Sequence, residues 1–255
     1  MKKGICLLLL LAAPLIAGAQ DLTEHQRDSL RAVWNDTARP DSARHRAMQE
    51  IIYDGMYSAL PDSSLKRSRE LLAFARQRQL KRLEATALNL CGICFNNQNQ
   101  WDSAEVSYLQ SLAIWEELGD KARMAGAYNN LGNVAGYKGD QSKAIEYLAR
   151  SLRIGEETAD SSVIARALGN IGVCHFEQKD YDVALDYFHR RILIADAIGD
   201  TQCSLEAYIC IGMLHDERKE LALAREGYTK SLQLAREIND AASIYTSMAN
   251  MGRLD

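Results

Sequence analysis

The 255-residue sequence predicts an all-α fold, a stack of antiparallel helix hairpins, and three observations predict it. First, residue types recur every 40 positions without an insertion. Gly119-Asp120, Ala159-Asp160, Gly199-Asp200 and Asn239-Asp240 share one register. Gly92, Gly132, Gly172, Gly212 and Gly252 share another, and Ala104, Ala144, Ala184 and Ala224 a third. A fixed period of this length marks a repeat architecture, in which one unit buries its apolar face only by stacking on its neighbours. Second, apolar residues within each unit return at three- and four-residue steps, the period of an amphipathic helix. Third, no proline follows Pro61, so nothing interrupts helix formation beyond it.

Taken in order, residues 1–19 read as a secretion signal. Lys2 and Lys3 start it, Ile5 to Ile16 is almost wholly apolar, and Ala17-Gly18-Ala19 supplies the small residues of a cleavage site before Gln20. The run is shorter than the ~20 residues of a membrane-spanning helix, and Cys6 lies too early for lipid attachment. Cleavage removes two lysines and no acid, taking the net charge from −4 to −6. Residues 20–40 should form a leading helix, with Thr23 as its cap and Gln26 three residues on.

Residues 41–240 should hold five 40-residue units. The first, 41–80, fits the register but departs from it, with Ile52 in the glycine column, Ser64 in the alanine column and Pro61 in the turn. The unit at 121–160 shows the pattern. Asp120 caps a first helix carrying Met124, Tyr128, Leu131, Val134 and Ala135, and Lys138-Gly139-Asp140 turns the chain. A second helix carries Ala144, Ile145, Leu148, Leu152 and Ile154. Small residues at Ala127, Gly132 and Ala144 should let the two backbones approach closely. Residues 241–255 match only the first helix of a sixth unit. An array that stops there exposes an apolar face, so the expectation is the front piece of a longer protein.

The stretches Ala127-Tyr128-Asn129-Asn130-Leu131-Gly132-Asn133 and Lys138-Gly139-Asp140-Gln141-Ser142-Lys143-Ala144-Ile145-Glu146-Tyr147-Leu148 resemble the two halves of a tetratricopeptide repeat. The period is 40 rather than the commoner ~34 residues, similar to the longer-helix variety of Leu-Gly-Asn-type polarity adaptors and of many bacterial sensor proteins. The resemblance covers Lys81 to Asp240 and implies a right-handed superhelical solenoid whose first helices line a concave groove. Carried over by column, it implies a peptide-binding set of Asn89, Asn96, Asn129, Asn130, Asn133, Tyr137, Arg166 and Asn170, with Asn97, Glu177, Glu206, Asp216 and Glu217 also facing the groove. Asparagines can bond both the N–H and the C=O groups of an extended peptide. The column of Asn130, Asn170 and Asn250 also suits bracing of the adjacent helix, which makes Asn129 and Asn133 the better ligand contacts. A cationic clamp for a terminal carboxylate is incomplete, since Asn129, Glu206 and Cys210 stand where cations would be needed.

Other chemistries find little support. A net charge of −4 supplies no basic field for nucleic acid. There is no phosphate loop, nucleophile elbow or paired-acid motif, so no enzyme and no cofactor are expected. Five cysteines follow the signal: Cys91, Cys94, Cys174, Cys203 and Cys210. An odd number cannot pair completely within one chain. Cys91, Cys94, Cys174-His175, Cys210 and His215 invite a zinc reading, but the cysteines occupy columns filled elsewhere by Leu131, Val134 and Asn170, which favours small buried hydrophobes. His175 and His215 should edge the groove, and Trp34, Trp101 and Trp115 should pack in the core. The expected function is a binding scaffold of the bacterial cell envelope that holds a protein or peptide segment. The alternative is the exported sensory domain of a longer histidine kinase or nucleotide cyclase.

Overall fold

The structure, a computed structural model, describes residues 22–57 and 61–254; the secretion-signal segment lies outside the described residues. Among the described residues there are twelve helices and no strand. They are α1 (Glu24–Asn35), α2 (Asp41–Tyr57), α3 (Pro61–Gln77), α4 (Lys81–Asn97), α5 (Trp101–Leu118) and α6 (Lys121–Tyr137), followed by α7 (Gln141–Thr158), α8 (Ser161–Glu177), α9 (Tyr181–Ile198), α10 (Thr201–Glu217), α11 (Leu221–Glu237) and α12 (Ala241–Met251). No described helix is long and apolar enough to cross a membrane.

Local chemistry sets the helix starts. Thr23 and Gln26 form a reciprocal capping box ahead of α1. Asp120, Asp160 and Asp200 each accept a backbone N–H three residues on, at 3.2, 3.1 and 3.0 Å. Asp240 does the same for Ser243 at 3.2 Å. Each bond satisfies one of the N–H groups that a helix start leaves orphaned. Pro61, expected in a turn, instead opens α3. At a first helical position its missing N–H costs nothing and its fixed φ suits the helix. The hairpins turn through single left-handed residues whatever their identity. Gly139 has φ 84°, while Lys179, Lys219 and Ala159 stand at 65°, 63° and 53°.

The chain divides into two compact units, with the boundary at 127/128 inside α6. In the first, Met48, Ile52, Leu71, Phe74, Leu83 and Leu90 form a core on which Trp34 packs from α1, its ring 5.0 Å from that of Phe74. Trp115 is also buried. Ile52 fills the glycine column, and the close approach moves to Gly55, where any Cβ would strike the Ser64 hydroxyl. In the second unit, Ala135, Ala144, Leu148, Ile171 and Cys174 pack together. A Cβ on Gly132 would stand 2.6 Å from Leu148 Cγ and 3.2 Å from the Ala144 carbonyl oxygen, so the small column exists to admit the second helix. Each large side chain buried this way stabilises the fold by roughly 1.5–3 kcal/mol. All five described cysteines are buried and free. On α12, Tyr245 and Met248 are exposed.

Candidate binding face

Two neighbouring first helices of the second unit, α6 and α8, are tied together by asparagine. Asn170 Nδ2 donates to Asn129 Oδ1 at 2.9 Å, and both residues are buried. The bracing expected of the Asn170 column is present, but its partner is Asn129, which the repeat pattern favoured as a ligand contact. The pattern cannot show this, because the bond joins neighbouring columns of neighbouring units. One turn further along α6 is Asn133, 6% exposed, with no hydrogen-bond partner for Oδ1. Asn130 is half-buried and Tyr137 buried, its hydroxyl pushed up to about 12 by burial. Arg166 on α8 is exposed. In the first unit, Asn89 and Asn96 on α4 are half-buried, and Asn96 Oδ1 is a buried acceptor without a partner.

At the C-terminal end of α8, Glu177 is half-buried and its Oε1 has no hydrogen-bond partner. Burial pushes its carboxyl up, and the Glu217 carboxylate on α10 adds to the shift. The histidines do not edge this face. His175 stacks on Tyr187 of α9 at 5.6 Å, and His215 Nδ1 stands 2.5 Å from Glu220 Oε2 beyond the turn. Both look into their own hairpins.

Two features escape the repeat pattern. Glu206, expected to face the groove, forms an ion pair with buried Arg191 of α9, whose Nη2 donates to Glu206 Oε2 at 2.5 Å. Gln202 Nε2 donates to the other carboxylate oxygen at 3.1 Å. Burial pushes the Glu206 carboxyl up, against the pull of the guanidinium. Arg191 occupies a column that holds Leu71 in the first repeat and Ser111, Ser151 and Ser231 in the remaining three. Gly169 makes room for it: a Cβ there would stand 2.5 Å from Nη1. The signal was readable as an oversized residue paired with a missing side chain. The second feature is a cleft of ≈ 580 Å³ in the first unit, lined by His45, Gln49, Arg82, Thr86, Leu80 and Leu118 among others. Arg82 there bonds Asp120 at 2.7 Å and Lys81 reaches Glu117 at 3.4 Å, so its cations are already paired.

The thiols of Cys91, Cys174 and Cys210 are each pushed up to about 12 by burial, which withholds the thiolate a nucleophile needs. Among the described residues no group of three or more His, Cys, Asp or Glu side chains could hold a metal ion. The face offers amide and carboxylate acceptors on rigid helices.

Residues 82–157, 123–192 and 163–237 match the family model for the tetratricopeptide repeat. No curated protein matches the sequence. Among solved structures, a Signal Transduction ATPase with Numerous Domains with a tetratricopeptide repeat sensor, from Pyrococcus horikoshii, is similar at 15% identity and a TM-score of 0.72. The match covers 89% of this chain and 33% of that one. BtubC from P. vanneervenii is similar at 15% identity and a TM-score of 0.67, covering 77% of this chain and 84% of that one. A Rap protein complexed with Competence and Sporulation Factor is similar at 14% identity and a TM-score of 0.62, covering 89% and 69%.

Proposed function

Since the chain belongs to the tetratricopeptide repeat family, we propose that it is a non-catalytic scaffold that holds a protein or peptide segment against the first helices of its hairpins. The observation that carries this reading is the Asn129–Asn170 bond. It locks two neighbouring first helices together, and the polar residues beside it, Asn133 and Arg166, are then presented from a rigid surface. Such a surface pays little ordering entropy when a ligand arrives. The Rap neighbour, complexed with its factor, supports the same use of the fold. In the second unit Asn130, Asn133, Tyr137 and Arg166 belong to the proposed contact set, with Asn129 and Asn170 as its internal brace; in the first, Asn89 and Asn96 are proposed contacts of that unit's own first helix.

In this reading the chain works outside the cytoplasm, in the bacterial cell envelope, on the strength of Lys2-Lys3, the apolar run to Ile16 and Ala17-Gly18-Ala19. N-terminal sequencing of the chain recovered from an envelope fraction should begin at Gln20; an intact Met1 in a cytoplasmic fraction would contradict export. A second reading, the sensory part of a longer signal-transduction protein such as a histidine kinase or nucleotide cyclase, draws support from the sensor role of the repeats in the Pyrococcus horikoshii neighbour.

The scaffold reading is tested by passing a pool of random-sequence octapeptides over the immobilised full chain. A retained subset whose binding weakens in Arg166→Ala, with thermal unfolding unchanged, is the expected result. Failure to retain any peptide would overturn peptide binding.

A further inference from the structure

Two acceptors in the second unit are left without partners. Asn133 is more than nine-tenths buried, yet its Oδ1 accepts no hydrogen bond. Glu177 Oε1 is likewise buried and unbonded, and Glu177 makes no ion pair with any described residue. A buried acceptor without a donor costs about 1–3 kcal/mol, more when charged, so native proteins rarely keep one without a use.

The two belong to one surface. The Asn170–Asn129 bond aligns α8 with α6. Asn133 lies four residues beyond Asn129, and Glu177 seven beyond Asn170, so both continue the stripes that this bond brings together. Along the helix axis the two are separated by roughly one turn, ~5 Å. Gln141 Oε1, at the start of α7 where its amide nitrogen reaches back to the Gly136 carbonyl at 3.4 Å, is a third buried acceptor without a donor. On the next first helix, Glu217 lies close enough to act on the Glu177 carboxyl. The set is all acceptors and its charge is negative. Its chemical complement is a cationic donor with several N–H groups.

We propose that this surface holds a basic side chain, a Lys ammonium or an Arg guanidinium of a bound peptide, between Asn133 Oδ1 and Glu177 Oε1. The inference rests on the peptide-binding reading and names the class of peptide. A charge-assisted bond of this kind contributes specificity as well as affinity, since a peptide lacking the cation leaves both acceptors buried and unpaired.

The test uses octapeptides randomised at every position, selected on the immobilised full chain, with each retained sequence resynthesised carrying norleucine in place of its basic residue. Enrichment of Lys or Arg at one position is expected. Norleucine should weaken binding by about tenfold or more on the unaltered protein and by under about twofold on Glu177→Gln, whose lost carboxylate no longer rewards the cation. Asn133→Asp, which adds an acid beside Glu177, should tighten the basic peptides by several-fold and guards against a Glu177 variant that fails to fold. Retained peptides without a basic preference, or with an acidic one, would overturn this inference and leave the scaffold reading standing. Retention of no peptide would overturn both.

Discussion

The two units share one 40-residue frame but spend their polar groups differently. In the first, three cross-helix pairs lie at the surface: Arg76 with Glu84 at 2.9 Å, Lys81 with Glu117 at 3.4 Å and Arg82 with Asp120 at 2.7 Å. Such exposed pairs contribute little each, around 0–1 kcal/mol. The first also buries single charges, Arg44 against the Trp34 carbonyl at 3.0 Å and Asp54 beneath Arg27 at 2.6 Å, but the second takes both partners of an ion pair inside. Arg191 is 3% exposed and meets Glu206 behind the notch at Gly169, in a column where three of the other four repeats place a serine. It also buries the Asn129–Asn170 pair and leaves Asn133 and Glu177 with unmet acceptors. A repeat that is periodic in its apolar columns is therefore free to be aperiodic in its polar ones, and the second unit is where this chain specialises.

The largest expected effect comes from removing one partner of the buried pair. Glu206→Ala strands the Arg191 guanidinium and should cost about 3–5 kcal/mol, while Arg191→Leu with Glu206→Leu should recover most of that loss. All three tryptophans lie in the first unit. In urea, Glu206→Ala should therefore lose helical circular dichroism before tryptophan emission changes; coincident transitions would show that the two units unfold together.

Alkali should act next. The buried thiols of Cys91, Cys174 and Cys210 rise from 9.0 to about 12, because burial penalises the thiolate. A folded-state value above the unfolded one means the native chain holds its protons longer. That stability is fully present below pH 9 and is lost as the pH climbs towards 12. Urea midpoints should thus fall steadily over this window. The second unit, with Cys174, Cys203, Cys210, Tyr137 and Tyr228 all shifted upward, should weaken more than the first. A flat midpoint from pH 9 to pH 11 would refute the burial of these thiols.

The two asparagines should separate cleanly. Asn129→Ala leaves Asn170 without its acceptor and should cost about 1–3 kcal/mol. Asn133→Leu removes a buried acceptor that has no protein partner, so it should leave stability unchanged or raise it. Equal losses for both would mean that Asn133 has a structural partner after all.

The turns should shift stability in the opposite direction. Ala159 and Lys219 hold left-handed φ of 53° and 63°. Replacement of either by glycine should raise stability by about 1 kcal/mol, the usual relief for a non-glycine residue there. In the first unit, Asn99 at φ 57° should gain less, because asparagine tolerates this conformation.

Most of the fold was legible because backbone spacing and apolar periodicity are local and repeated. The aspartates that close the last four 40-residue units cap α6, α8, α10 and α12, and Thr23 with Gln26 starts α1 as their spacing implies. Pro61 opens α3 rather than sitting in the turn, a shift the repeat columns do not show because the atypical first unit has no second copy. The binding face was only half legible. Columns show which residues share a helix face but not which of them bond across to the next helix, so the Asn129–Asn170 brace and the Arg191–Glu206 pair emerge only in the folded chain. The histidines at 175 and 215 illustrate the same limit: each meets a partner within its own hairpin, Tyr187 on α9 and Glu220 just before α11.

The most direct test of the account is to build a benzophenone into the tightest octapeptide, irradiate its complex with the full chain and map the adducts by mass spectrometry. Adducts on the first helices of the second unit, within 130–137, 166–177 and 206–217, are the predicted result. Adducts confined to the exposed faces of α7, α9 and α11, where Leu193 and Leu223 lie in the solvent, would contradict it.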